Sequence, residues 1–453
     1  MGSFLHTGIF FILSLGILVF IHEFGHFWVA RKLDVKVLRF SLGFGKSLWR
    51  TQKTPDSTEF VVAAIPLGGY VKMVDEREGE VLEKDLPYAF NRQPLLSRVA
   101  IVLAGPVFNL LLAIFLYWAV FMLGESGIRP VLGSVPEGTF AAQAGISEGD
   151  EILSVSDQST PTWSLALTTL FTETMDKQRI PVVVKRPDGT TAEHVLDIPE
   201  DIKIEPKELQ DKLGFTPWKP ALKPILNEVV SDEAADKAGF LSGDQVISID
   251  GVEMTTWEAF VKEVKNQPGR ALSVGIERDG VLQTLTLTPA VHQTGKGEVG
   301  RIGATVRVPP ELLQTYTVKY QLGVMDAFIA AVNKTVDFSF LTLKMIGRMA
   351  TGSASVENLS GPIGIAKIAG ESANMGIVAF LKFLAIISIS LGVLNLLPIP
   401  MLDGGHLFFY LIEAIKGSPL SDNAMALGQQ VGMAVLMGLM GLAIFLDIGR
   451  LFT

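Results

Sequence analysis

The chain has 453 residues, 48% of them apolar, with 38 basic against 47 acidic side chains and a net charge of −9. A mean hydropathy of +0.38 is high for a water-soluble chain and low for a pure transporter, so a few membrane spans plus a large aqueous portion are expected. The acidic balance argues against a nucleic-acid partner, and the absence of cysteine excludes disulfides, Cys-ligated metal and a thiol nucleophile.

In chain order, the first apolar segment is Phe4–Ala30, long enough to cross a bilayer, which takes about 20 residues. It lacks the basic n-region and the A-x-A cleavage site of a signal peptide, so it is expected to be retained. Inside it lies His22-Glu23-Phe24-Gly25-His26. Two histidines at i and i+4 share one helix face and can hold one Zn²⁺, and the Glu between them can act as general base. Each ionisable group costs several kcal/mol at the bilayer centre, so such a cluster points to function rather than packing. His6 is expected to be interfacial.

The segment after this span carries Arg31, Lys32, Lys36, Arg39, Lys46, Arg50, Lys53, Arg92 and Arg98. The positive-inside rule makes it cytoplasmic and places the N-terminus, the segment from Gly124 to about Gly376 and the C-terminus outside, in the periplasm of a bacterium. Val35–Val74 alternates apolar and polar residues and is punctuated by Gly43-Phe44-Gly45 and Pro66-Leu67-Gly68-Gly69-Tyr70, which predicts β-hairpins. A second span follows at Val99–Leu123. Its Gly105-Pro106 and Asn109 predict close helix approach, with packing and a direct catalytic role both open.

The next segment is duplicated. Pro130-Val131-Leu132 matches Pro224-Ile225-Leu226, Ala144-Gly145 with Gly149-Asp150 matches Ala238-Gly239 with Gly243-Asp244, and Trp163 matches Trp257, all 94 residues apart. Asp188-Gly189 and Asp279-Gly280 are 91 apart, so one copy has a short insertion. The pattern A-G-x₃-G-D-x-[IV]-[LI]-S-[VI] resembles PDZ domains of bacterial proteases. The resemblance implies two circularly permuted units, 127–219 and 220–309, with carboxylate-binding loops at Leu213-Gly214-Phe215 and Ile302-Gly303-Ala304. PDZ domains take peptide ends by strand addition. A role in packing or as a steric cover is the alternative. His194 and His292 are expected to be solvated.

Gln321–Ala350 places Val324, Phe328, Val332, Val336, Phe340 and Leu343 at helical spacing among charges. This predicts an amphipathic helix on the outer membrane face or packed against protein. Leu359–Ile365 reads as a turn or shallow re-entrant segment. Ile377–Leu397 and Met425–Leu446 are the third and fourth spans. At the end of the third, Pro398 and Pro400 should break the helix, which survives at membrane depth only where protein or water satisfies the backbone. Asp403 at this break needs a counter-charge, and a metal is the natural candidate. A helix N-cap is the alternative role, and His406 is a competing ligand.

HExxH in a first span, together with Asn395-x-x-Pro398-x-x-x-Leu402-Asp403-Gly404 in a later one, resembles the site-2 protease family of intramembrane zinc metalloproteases. The PDZ pair between the second and third spans resembles its bacterial members. The resemblance implies a polytopic α-helical membrane protein of four spans, with a membrane-associated β-hairpin segment and two periplasmic PDZ-like α+β domains in tandem. The divisions are then 1–34, 35–96, 97–126, 127–219, 220–309, 310–375, 376–416 and 417–453. It implies Zn²⁺ on His22, His26 and Asp403, Glu23 as general base, and Asn395 positioning the substrate or stabilising the oxyanion. The hairpin segment would re-enter the membrane and offer an edge, around Gly43, Phe44 and Gly45, to an unwound substrate. An ordinary cytoplasmic ribbon is the other reading. Gly214, Phe215 and Gly303 would meet peptide ends.

The implied substrate is a single-span membrane protein, an anti-sigma factor already trimmed by a first protease, cut in the bacterial inner membrane during an envelope stress response. Two other classes compete. A silent PDZ adaptor would have lost a motif residue, and none is missing. A metal transporter would need more than one polar span.

Overall fold

Apolar runs at helical length dictate the helices, and their breaks fall where proline and glycine stand. The computed structural model describes residues 2–200, 202, 204, 208–294, 297–355 and 360–451. Two units are formed, one by Met1–Glu125 with Gln321–Leu451 and one by Ser126–Tyr320. Four helices are long and apolar enough to cross a membrane; three contain an expected span, and the third ends at Asn395, two residues short of the expected Leu397.

In the first unit, α1 (Gly2–Lys32) ends on Arg31 and Lys32, which complement the negative end of its dipole. Strands β1 (Val37–Thr51) and β2 (Glu59–Met73) follow, as the alternating pattern predicts. Each strand is bent, and Phe40 sits opposite both Val71 and Phe60. Residues 37–42 therefore lie between 69–73 and 59–62, while Trp49, farther along β1, pairs with Val62. Among the described residues, segment 69–73 pairs on one side only, so its outer edge is free.

Helix α2 (Leu95–Leu123) packs against α1 and against three later helices: α3 (Val324–Ala350), α5 (Ile377–Asn395) and α6 (Asp403–Lys416). The face of α3 that is buried is not the large apolar stripe. It is Ala327, Ala331 and Thr335, while Val324 is 64% and Phe340 67% exposed. Small side chains let two helix backbones approach closely, and the bulky ones are left outward.

Of the turn or shallow re-entrant segment expected at Leu359–Ile365, the turn is corrected over 362–365, where the chain is helical, and Leu359 lies outside the described residues. Helix α4 (Pro362–Asn374) starts with proline at its first position, where the missing N–H costs nothing. Its free N–H groups are met by Asp447 of α7 (Asp422–Leu451), which accepts from Gly361, Ile363 and Gly364 at 3.0, 2.9 and 3.0 Å. A carboxylate at a helix N-terminus is favoured by both hydrogen bonding and the dipole.

Among the described residues, an arginine–carboxylate pair joins two of these helices. Arg98 at the start of α2 meets Glu413 of α6 through two bonds of 2.6 and 3.1 Å, and its guanidinium lies 5.0 Å from the Tyr410 ring centroid. Side-chain exposures of 10% and 15% make this a buried pair. Removing one partner strands a charge, so Glu413→Ala is expected to cost roughly 3–5 kcal/mol. This would be read as an earlier thermal unfolding midpoint in detergent, with Arg98→Met/Glu413→Leu recovering most of the loss. An unchanged midpoint for Glu413→Ala would mean that water reaches the guanidinium.

The second unit displays the duplication. Residues 158–159, 151–155, 179–185 and 191–197 form one four-stranded sheet in that order, and 252–253, 245–249, 272–278 and 281–287 form the other. Equivalent helices, Trp163–Thr174 and Trp257–Asn266, begin on Thr162 and Thr256. Each threonine hydroxyl accepts an N–H three residues on, the N-cap bond these residue types favour. Each repeat has its own apolar core, around Leu170 and Ile180 in the first and Phe260 and Val274 in the second. The last strand of the second repeat, Ala304–Val306, pairs with its first, Leu226–Val229, as a permuted unit requires. His292 is exposed. His194 is not the solvated residue expected: its Nδ1 lies 2.8 Å from the Ala144 carbonyl and its Nε2 is buried. The strand Thr191–Asp197 lies against the helix Phe140–Gln143, which accounts for the discrepancy.

Candidate metal centre

The helix of HEFGH does what its spacing predicts. His22 and His26 lie on one face of α1, with ring centroids 4.9 Å apart. Asp403 reaches them because the chain breaks after Asn395 and restarts as α6 at Asp403. Met401, at φ +90°, is one of the few non-glycine residues in the left-handed region. Leu402 is the N-cap of α6 and makes no side-chain cap bond, so Asp403 does not serve as the cap. Gly404 is required here, since a Cβ on it would lie 2.1 Å from the Leu397 carbonyl oxygen.

Three donor atoms converge. His22 Nε2 lies 3.2 Å and His26 Nε2 3.5 Å from Asp403 Oδ2, and the two Nε2 atoms are 3.3 Å apart. Among the described residues this is the group of three that could hold a metal ion. A tetrahedral ion with bonds of about 2.0–2.2 Å separates its ligands by about 3.3–3.6 Å, so the residues present fit zinc.

Lone pairs support the same fit. His26 Nδ1 is 2.8 Å from the Ile101 carbonyl, so Nδ1 carries the proton and donates. The lone pair of a neutral His26 is then on Nε2, aimed at Asp403 Oδ2, a buried oxygen with no hydrogen-bond partner. Acceptors facing one another repel unless a cation lies among them. His406, the competing ligand, lies outside the converging group.

The trio opens on a cavity of about 880 Å³. Glu23, only 8% exposed, lines it beside the two histidines. Asn395, the last residue of α5, lines it too, and its side chain has no hydrogen bond among the described residues. Tyr70, Val71 and Met73 of the free β2 edge form one wall, and α7 contributes Met425 and Gln429. A Cβ at Gly69 would come 2.9 Å from Glu23 Cγ, so the edge strand lies directly against the base.

The sequence-based candidates separate into groups. His22, Glu23, His26, Asn395 and Asp403 share this cavity. Gly43, Phe44 and Gly45 form the bend of β1 and do not line it, although Phe44 stacks at 6.0 Å on Tyr70, which does. Gly214, Phe215 and Gly303 belong to the second unit. Leu213 and Phe215 are fully buried in the first repeat's core. Around Gly303 there is a cavity of about 260 Å³, between the helix Trp257–Asn266 and the strand Ala304–Val306.

Two residues beside the site were not placed there by the sequence, which left packing and a catalytic role both open for Gly105. Gly105 of α2 lies against the ligands: a Cβ there would be 2.3 Å from His26 Nε2 and 2.8 Å from His22 Cε1. Tyr70 was only part of a turn signal. The Gly-Pro pair marked a close helix contact, but nothing in the sequence said which side chains it touched.

A family model described as peptidase family M50 matches residues 10–439. The chain belongs to peptidase family M50. This M50 protease is a zinc metalloprotease of the site-2 type, and its apolar helices make it a multi-pass membrane enzyme. It is 43% identical to the regulator of sigma-E protease of Escherichia coli strain K12 over 457 residues, covering all of both chains. It is 41% identical over 455 residues to a putative zinc metalloprotease of Vibrio cholerae, again across all of both chains. Over 20% of its length it is similar to the PDZ domain of the SdrC-like protein of Listeria monocytogenes, at 17% identity and a TM-score of 0.17, covering 93% of that chain.

Proposed function

We propose that this M50 protease is an intramembrane endopeptidase that cuts the transmembrane segment of single-span membrane proteins, with zinc on His22, His26 and Asp403. The observation that carries the reading is one cavity holding the converging trio, Glu23 and a free strand edge. A helical substrate must unwind before a peptide bond can reach the metal. The unpaired N–H and C=O groups of residues 69–73 then accept its freed backbone as an added strand.

When bound, zinc polarises the scissile carbonyl and acidifies the attacking water to a pKa of about 7. Glu23 takes the proton of that water and later delivers it to the leaving amide nitrogen. Asn395 holds the substrate backbone or the developing oxyanion with its side-chain N–H. Tyr70, Val71 and Met73 align the unwound segment, and Gly43–Gly45 form the bend that carries Phe44 onto Tyr70.

The cellular role follows from relatives named as regulators of sigma-E. The substrate is a single-span anti-sigma factor, trimmed outside by a first protease, in an envelope stress response. The enzyme lies in the bacterial inner membrane. Both repeats are periplasmic PDZ domains, and the exposed apolar face of α3 rests on lipid. The repeats differ in what they can do. The second offers its groove at Gly303 to peptide C-termini, whereas the first has Leu213 and Phe215 packed inward and acts as a steric cover.

The test is cleavage of a co-expressed single-span reporter without an outer domain, followed by the same reaction with purified enzyme and a zinc chelator. Cleavage within the span, lost on chelation and restored by added Zn²⁺, is expected. Cleavage that persists after the metal is stripped would sink the zinc centre, and an intact reporter across a panel of spans would favour the adaptor reading.

A further inference from the structure

Metal ligation by a neutral imidazole leaves the other ring nitrogen protonated, and that N–H needs an acceptor to hold the ring in place. For His26 the acceptor is the Ile101 carbonyl. Among the described residues, the group at the second nitrogen of His22 is the side chain of Asn109, whose amide lies 3.3 Å from Nδ1. Asn109 is 1% exposed, and its Oδ1 has no hydrogen-bond partner.

The two ends of a side-chain amide have the same shape and are told apart by the hydrogen bonds they make. With Nδ2 against His22 Nδ1, the imidazole would have to accept there, which puts its proton on Nε2 and points N–H at the site of the ion. With Oδ1 against His22 Nδ1, the ring donates to the amide oxygen, Nε2 presents its lone pair toward His26 and Asp403, and Nδ2 takes the buried position at which Oδ1 had no partner. Only the second arrangement is compatible with zinc on His22.

We infer that Asn109 is a positioning residue for the metal: its Oδ1 accepts from His22 Nδ1–H and so sets the tautomer and ring orientation of that ligand. This rests on the zinc centre proposed above. The residue is itself anchored. The Ser388 hydroxyl of α5, fully buried, donates to the Asn109 backbone carbonyl at 2.7 Å. The helix that supplies Asn395 at its end thus also holds the helix that orients His22.

The experiment measures zinc affinity of the full-length protein in detergent by competition with a chromophoric chelator. The variants are Asn109→Leu, which has similar volume and no acceptor, and Asn109→Asp, which keeps an acceptor oxygen. His22→Ala is the control. Asn109→Leu is expected to weaken zinc binding about 10–100-fold, with Asn109→Asp restoring most of it and both variants unfolding near the wild-type midpoint. Wild-type affinity in Asn109→Leu, alongside a loss in His22→Ala, would overturn the inference and leave the metal centre standing. Equal losses in the Leu and Asp variants with a matching fall in midpoint would also overturn it, by assigning Asn109 to packing. If His22→Ala binds zinc as well as the wild type, the metal centre itself fails and the inference goes with it.

Discussion

Glu23→Gln is expected to keep its zinc and lose cleavage by about 10²–10⁴-fold, the range removed with a general acid–base group. Glutamine matches the volume of the carboxylate and can still accept a hydrogen bond, so the cavity wall beside the β2 edge keeps its shape. It cannot take a proton from water. Glu23 is not one of the converging donor atoms, so metal content should be unaffected. Zinc per chain by elemental analysis and turnover of the single-span reporter separate the two effects. Cleavage near the wild-type rate with zinc intact would remove Glu23 from the role of base. A parallel loss of zinc would make it part of the metal's support instead.

Gly105→Ala should place one methyl group directly against the metal ligands. The added Cβ would sit 2.3 Å from His26 Nε2 and 2.6 Å from its Cε1, on the ligating side of the ring. Helix α2 is also packed against α3, α5 and α6, which limits its retreat from α1. The imidazoles must therefore turn, and the ligand spacing of 3.2–3.5 Å is lost. Zinc affinity should fall by more than about 100-fold, beyond the 10–100-fold of a change behind the ligands. Helix propensity runs the other way, since alanine is favoured over glycine in a helix interior by about 0.8–1.0 kcal/mol. The signature is thus a folded, undiminished membrane protein that no longer holds metal, read by zinc competition and thermal unfolding together. Full zinc affinity in this variant would mean that α1 and α2 are farther apart than their glycines indicate.

Periodicity and punctuation made much of this architecture legible. Apolar runs of span length became helices of at least 19 residues, because no other backbone arrangement satisfies its own hydrogen bonds in lipid. The alternating stretch 35–74 became a sheet, and the offset of 94 residues became two similar sheets. What was left open or misread depended on neighbours. The large apolar residues of α3 were expected on the membrane face or against protein, and the residues found buried are alanines and a threonine. Periodicity identifies an apolar stripe but not whether protein or lipid covers it. Leu359–Ile365 was expected to be a turn or a shallow re-entrant segment. The helix from Pro362 is instead stabilised at its start by Asp447, more than 80 residues later.

By itself the sequence determined the local chemistry: two histidines one helical turn apart, a carboxylate between them, and a proline break shortly before Asp403. These follow from 3.6 residues per turn and from the missing N–H of proline, which are properties of short stretches of chain. Only the tertiary structure decided that Asp403 and not His406 closes the trio, that residues 69–73 and not Gly43–Gly45 face the cavity, and that Gly105 and Asn109 of another helix lie against the histidines. Those choices depend on distances of a few tenths of an ångström between segments up to about 380 residues apart in sequence. Such distances are set by how whole helices pack, ridge against groove, and no local pattern of residues encodes them.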